Sequence, residues 1–194
     1  MTADDDSRPC AARRRLLTGS TALALCAHAL PGFAAGADAD AEKRPPQPGD
    51  ELVLPSYEDG RLLAAADLVA GGDPVLVYPR DPITGVVRER SRLNQILVVR
   101  LDLALDETTR NAAADDVVAY SAVCTHTACG VTGWKSEVSH FVCPCHQSEF
   151  AAARHGTRVA GPAPRALPLL PIRVSDERYL VAGAFSSRVG ASKP

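Results

Sequence analysis

Two short stretches decide how this chain is read: Cys124-Thr125-His126-Thr127-Ala128-Cys129 and Cys143-Pro144-Cys145-His146-Gln147-Ser148. They hold four of the six cysteines and two of the five histidines in 194 residues. Each reads as a hairpin tip that presents a thiol and an imidazole, spaced Cys-x-His in the first and Cys-x-x-His in the second, and such donors suit transition metals. A structural zinc site is the plain alternative. Zinc pairs usually have roughly two to four residues between ligands, so Cys-x-His is too tight, and two cysteines would be left without a role. His140 precedes Cys143 by three residues, but making it a ligand leaves His146 unexplained. His140 and His155 are therefore read as ordinary strand and loop residues, and Trp134 as a core or packed loop residue with no redox role.

One thiolate and one imidazole on each tip form the ligand set of a two-iron cluster, with two thiolates on one iron and two imidazoles on the other. Here the sequence resembles the Rieske [2Fe–2S] proteins, over both tips and the later Gly161-Pro162-Ala163-Pro164, within residues 117–174. The resemblance implies that Cys124 and Cys143 hold one iron and His126 and His146 the other, with Cys129 and Cys145 as a disulfide tying the loops together. It also implies a hydroxyl donor to a bridging sulfide in Ser148, and a loop through Gly161 and Pro162 that covers one side of the cluster. Neutral imidazoles leave the core less negative than four thiolates would, so an added electron is held more tightly. Rieske potentials accordingly lie at roughly −150 to +300 mV, against about −400 mV for plant-type ferredoxins. Phe150 stands where high-potential, quinol-oxidising members carry a tyrosine that donates to a ligand sulfur, so a lowered midpoint is expected. Thr127 and Ala128, in place of Leu-Gly, and Ala151, in place of an aspartate, depart from the same members.

Toward the N-terminus, Arg13-Arg14-Arg15 precede Leu16-Leu17 and an apolar run that continues to Phe33. This is a twin-arginine export pattern, and the small residues Ala35-Gly36-Ala37 place the expected cut after Ala37. Cys10 and Cys26 would leave with residues 1–37. The route carries folded proteins, which suits a cofactor inserted in the cytoplasm, and an oxidising destination suits a disulfide. Retention as a membrane anchor is the alternative, although the run falls short of about 20 apolar residues. Residues 38–50, with Pro45-Pro46-Gln47-Pro48-Gly49, read as a polar linker. Residues 51–185 read as the domain and 186–194 as a tail.

The length allows one ordinary domain. Lys+Arg 21 against Asp+Glu 23, net −2, gives no basic field for nucleic acid. Fifteen Pro and fourteen Gly separate short β-branched runs at 75–78, 95–101, 117–122, 139–142, 172–174 and 179–181, which argues an all-β fold. The resemblance makes this an antiparallel β-sandwich base with a small inserted cluster-binding subdomain. Residues 106–116 are Ala-rich and read as a short helical insertion between strands.

Functionally, the export signal, the Ser-x-Phe pattern and a soluble mature form resemble the small Rieske subunit of arsenite oxidase. That implies a periplasmic electron-transfer subunit with no catalytic residue of its own, passing electrons from a molybdenum-containing catalytic subunit to a cytochrome-type acceptor. The alternatives are the Rieske subunit of a quinol-oxidising cytochrome bc complex, with a retained membrane anchor, and a free-standing periplasmic electron carrier.

Overall fold

The computed structural model describes residues 40–192. The export segment, its expected cut after Ala37, Cys10 and Cys26 lie outside the described residues. In chain order the elements are β1 (Glu51–Val53), β2 (Val75–Arg80), β3 (Ile96–Arg100), α1 (Glu107–Ala112), β4 (Val117–Ser121), β5 (Gly133–Lys135), β6 (His140–Cys143), β7 (Ser148–Ala151), β8 (Thr157–Ala160), β9 (Leu169–Leu170), β10 (Ile172–Ser175) and β11 (Arg178–Val181). No helix among the described residues is long and apolar enough to cross a membrane.

Two antiparallel sheets result. Seven strands run in the order β10-β11-β1-β2-β3-β4-β9, and the other four form the meander β5-β6-β7-β8 inserted between β4 and β9. The two edge strands of the larger sheet, β9 and β10, are separated in sequence by Pro171 alone. The sheet therefore curls until its edges meet at one kinked strand, giving a nearly closed barrel. Proline suits that corner because it has no N–H to leave unpaired, while its carbonyl accepts from the Ala182 N–H at 2.8 Å.

The barrel face shared by all seven strands is apolar: Leu52, Val77, Ile96, Val98, Val117, Ala119, Leu170, Ile172, Tyr179 and Val181 are buried together. Strands alternate their side chains, so β3 and β4 send Leu97, Val99, Val118 and Tyr120 the other way, onto Phe141 and Phe150 of the smaller sheet. These two strands form a wall with a core on each side, and that is why their sequence is unbroken apolar rather than alternating. Tyr120 meets the Phe141 ring at 5.4 Å and donates its hydroxyl to the Ala152 carbonyl at 2.7 Å. Trp134 on β5 packs on Phe141 at 5.0 Å, a core role. The expected helical insertion is α1, capped by Asp106, whose carboxylate accepts from the Thr109 N–H at 2.7 Å.

Residues 40–50, expected as a linker, lie against the barrel. Asp50 is buried and paired with buried Arg88, at 2.8 and 3.0 Å. Arg88 also donates to the Ala41 carbonyl, and Asn94 to that of Arg44. Composition suggested a linker because the segment is poor in apolar side chains, but what holds it is polar and comes from residues far along the chain. The expected tail is likewise attached: Ser186 exchanges hydrogen bonds with Leu169, and Gly190 is buried.

Candidate metal centre

The two tips are built by the same backbone device. In the first, the Cys124 N–H donates to the Cys129 carbonyl at 2.8 Å, and the Ala128 N–H returns to the Cys124 carbonyl at 3.1 Å. In the second, Cys143 pairs with Ser148 across the β6–β7 hairpin, and the Gln147 N–H returns to the Cys143 carbonyl at 3.0 Å. Ala128 and Gln147 close the two turns in the left-handed region, at φ +59° and +57°. Each turn therefore starts on a buried cysteine and carries its histidine at the crown.

The structure brings all six expected loop residues together. Cys129 and Cys145 form a disulfide between the tips. Cys124 and Cys143 are free, buried thiols. His126 and His146 approach with Nδ1 atoms 3.2 Å apart and rings nearly perpendicular, His146 exposed and His126 half-buried. Burial pushes the Cys124 thiol up to about 11; the adjacent Cys143 adds to this, while hydrogen bonds from the His126 N–H and the Ser148 hydroxyl pull it down. The buried Cys124 thiol therefore keeps its proton until a cation displaces it. Two inner sulfur donors and two outer nitrogen donors converging at the surface fit a two-iron cluster of mixed ligation.

A third loop completes the site. Gly161 lies at φ +79° against Ser148, where an added Cβ would stand 2.4 Å from the Ser148 Cα, so only glycine fits. The Ser148 hydroxyl oxygen accepts from the Ala163 N–H at 3.1 Å, which leaves its proton directed to Cys124. Pro162 and Pro164 are exposed beside it. Phe150 is fully buried on β7, opposite Phe141, with no polar atom to offer. Thr125, overlooked in the sequence, is also buried, and its hydroxyl donates to the Arg165 carbonyl at 2.9 Å, binding the first tip to the third loop. Its only signal was a hydroxyl residue placed between two ligand candidates. His140 stands on β6 near the Glu149 carboxylate at 3.5 Å. His155 is tied by its backbone to Thr109.

The family model for the Rieske [2Fe-2S] domain matches residues 74–171. A cytochrome bc1 complex Rieske iron-sulfur subunit of Corynebacterium diphtheriae is 50% identical over 76 residues, 39% of this chain and 19% of that subunit. The chain thus spans about a fifth of the length of the corynebacterial subunits it matches. A putative respiratory nitrate reductase subunit Rieske of Haloferax mediterranei is 36% identical over 150 residues, 72% of this chain and 64% of that one. Among solved structures, the cyanobacterial plasma membrane Rieske protein PetC3 from Synechocystis PCC 6803 is 31% identical over 56% of this chain and 86% of that one, with a TM-score of 0.36.

Proposed function

This chain belongs to the Rieske [2Fe–2S] family of electron-transfer proteins, and on that premise we propose that it is the electron-carrying subunit of a respiratory complex of the cytochrome bc type, working on the periplasmic side of the membrane. The observation that carries a transfer role is the crown itself, two imidazoles at the surface above two buried thiols. Cys124 and Cys143 would hold one iron and His126 and His146 the other. When bound, the cluster supplies a one-electron store. The chain keeps the sulfur side dry, directs the Ser148 hydroxyl at Cys124 and places the imidazole edges where a partner can touch them.

The bc-type reading is supported by the corynebacterial likeness, 50% over the 76 residues matched. None of the relatives above is an arsenite oxidase subunit. A second reading, the small subunit of a catalytic oxidoreductase, draws on the Haloferax relative, named for a respiratory nitrate reductase, because that likeness covers 72% of this chain. Phe150 favours it as well, since quinol-oxidising members carry a tyrosine there. Export of the folded protein by the twin-arginine route, with a cytochrome-type acceptor, belongs to both readings.

The test is to tag the C-terminus, purify the chain from its own host with and without detergent, and assay iron, haem and molybdenum. The bc-type reading expects haem b to co-purify, in detergent only. Stoichiometric molybdenum without detergent selects the second reading, and iron alone a free-standing carrier. Cys143→Ser and His146→Ala should each lose the iron and the visible absorption, and retention of both by either variant would sink the ligand assignment.

A further inference from the structure

Charge is distributed unevenly over the described residues. In and around the barrel, several arginines meet carboxylates, Arg88 with Asp50, Arg80 and Arg178 with Glu51, Arg61 with Asp67, Arg100 with Asp116, although Arg110 donates to the Leu105 carbonyl. Around the three loops they meet main-chain carbonyls instead. Arg92 donates to the Ala128 carbonyl at 2.6 Å, and Arg158 to that of Gly161 at 3.1 Å. Arg165 donates to Arg188 and Gly190, at 2.9 and 2.5 Å. Among the described residues, no carboxylate lies within 4.0 Å of Arg92, Arg158, Arg165 or Arg188. The segments that build this face, 91–95, 123–131, 143–148, 157–168 and 184–192, contain no Asp or Glu at all.

A chain of net charge −2 therefore carries, on and beside its three loops, four arginines with no carboxylate partner among the described residues, three of them bonded to loop carbonyls. A hydrogen bond to a carbonyl orients a guanidinium without neutralising it, so its remaining donors are already aimed and less side-chain freedom is lost when a carboxylate arrives. Beside these arginines lies an apolar groove of about 900 Å³, bordered by Pro46, Leu93, Phe185 and Val189 and reaching Ala128 and Arg188. Steering charges next to an apolar seat are the composition of a protein-binding surface.

We propose that this face docks a redox partner protein whose electron-entry surface is rimmed by carboxylates, the arginines setting its approach and the groove seating an apolar side chain. The inference rests on the electron-carrier reading above and names the partner's chemistry.

The test follows oxidation of the reduced, cluster-loaded protein by three oxidants in stopped flow. These are an acidic plastocyanin, a basic cytochrome c and uncharged p-benzoquinone, which gives the reference rate and reports any change in the cluster itself. The expected result is a plastocyanin rate constant that falls about tenfold as ionic strength rises from about 0.01 to about 0.3 M. Arg92→Gln/Arg158→Gln/Arg188→Gln should lower the ratio of plastocyanin to quinone rates at low salt by a similar factor, and the corresponding triple lysine variant should restore it. A cytochrome c rate that is the faster of the two protein rates and is slowed by salt overturns the docking proposal but leaves the carrier reading intact. So does arginine-dependent binding to phosphatidylglycerol vesicles combined with a plastocyanin rate indifferent to salt, which would make the face a lipid-binding one. If none of the three oxidants takes the electron, the carrier reading fails and the proposal falls with it.

Discussion

The barrel and the inserted cluster-binding unit share β3 and β4 as a common wall, yet they are held by different means. The barrel has an apolar interior to which all seven strands contribute, and ion pairs of the buried Asp50 and Glu51 beside it. The inserted unit packs Phe141 and Phe150 on that wall, but its crown of Pro144, Cys145, His146 and Gln147 is exposed. The crown depends on one disulfide, two left-handed turns and single hydrogen bonds from Thr125 and to Ser148. Distributed contacts yield gradually, whereas a few specific ones yield singly. Damage to the barrel should therefore lower the stability of the whole, and damage to the crown should release the cluster while the barrel stands.

The largest effect is expected from Asp50→Ala, which removes the two short carboxylate contacts of the buried Arg88 guanidinium and leaves it the more distant Asp81, at 3.6 Å. Losing one partner of a buried pair costs about 3–5 kcal/mol, so the far-ultraviolet and visible transitions in denaturant should move down together. Cys129→Ser/Cys145→Ser opens a crosslink with a sequence separation of 16, worth about 3 kcal/mol. Visible absorption should then disappear at lower denaturant than the barrel's circular dichroism, and coincident losses would dissolve the distinction between the two regions. Gly161→Ala drives a methyl into the Ser148 backbone and should cost about 2 kcal/mol, again read as earlier cluster loss.

Phe150→Tyr adds a donor on β7, against the wall, without removing packing. A hydrogen bond that favours the reduced state by about 1 kcal/mol raises a one-electron midpoint by roughly 40 mV. Voltammetry should show a rise of that order, and an unchanged midpoint would mean the hydroxyl does not reach a ligand sulfur. The mildest effect belongs to the barrel and to acid. Burial alone would raise the Glu51 carboxyl, but hydrogen bonds from Arg80 and Arg178 outweigh it and hold its pKa below the ordinary 4.5. The unfolded chain therefore takes up this proton more readily than the folded one. The stability it supplies is whole above the ordinary value and is lost as pH falls through and below it. Glu51→Gln should flatten the acid limb of a denaturant-midpoint profile, and a limb of unchanged slope would assign acid sensitivity elsewhere.

What could be read beforehand follows the same division. The two tips were legible because metal ligation demands particular residue types at short spacing, and β3 and β4 because a strand buried on both faces is an unbroken apolar run. By contrast β5 (Gly-Trp-Lys), β7 (Ser-Glu-Phe-Ala) and β8 (Thr-Arg-Val-Ala) are too short and too mixed to show a period. The attachment of residues 40–50 was hidden because its contacts are single polar bonds across tens of residues, such as Asp50 to Arg88. The third loop showed as Gly-Pro-Ala-Pro, but its dependence on Thr125 could not be seen until the chain was folded.

The order of strands in the barrel carries a consequence for how the protein is made. β1, the first of the described strands to leave the ribosome, lies between β2 and β11, the last of them, and its Glu51 meets Arg178 at a separation of 127 residues. The turns of the two tips are closed by neighbours close in sequence, so these hairpins can form while the ring of strands is still open. Contacts this distant in sequence form slowly. Until the final strand is synthesised, β1 offers an unpaired edge to any other nascent chain, so a stalled product ending before Arg178 should be taken by chaperones or proteases.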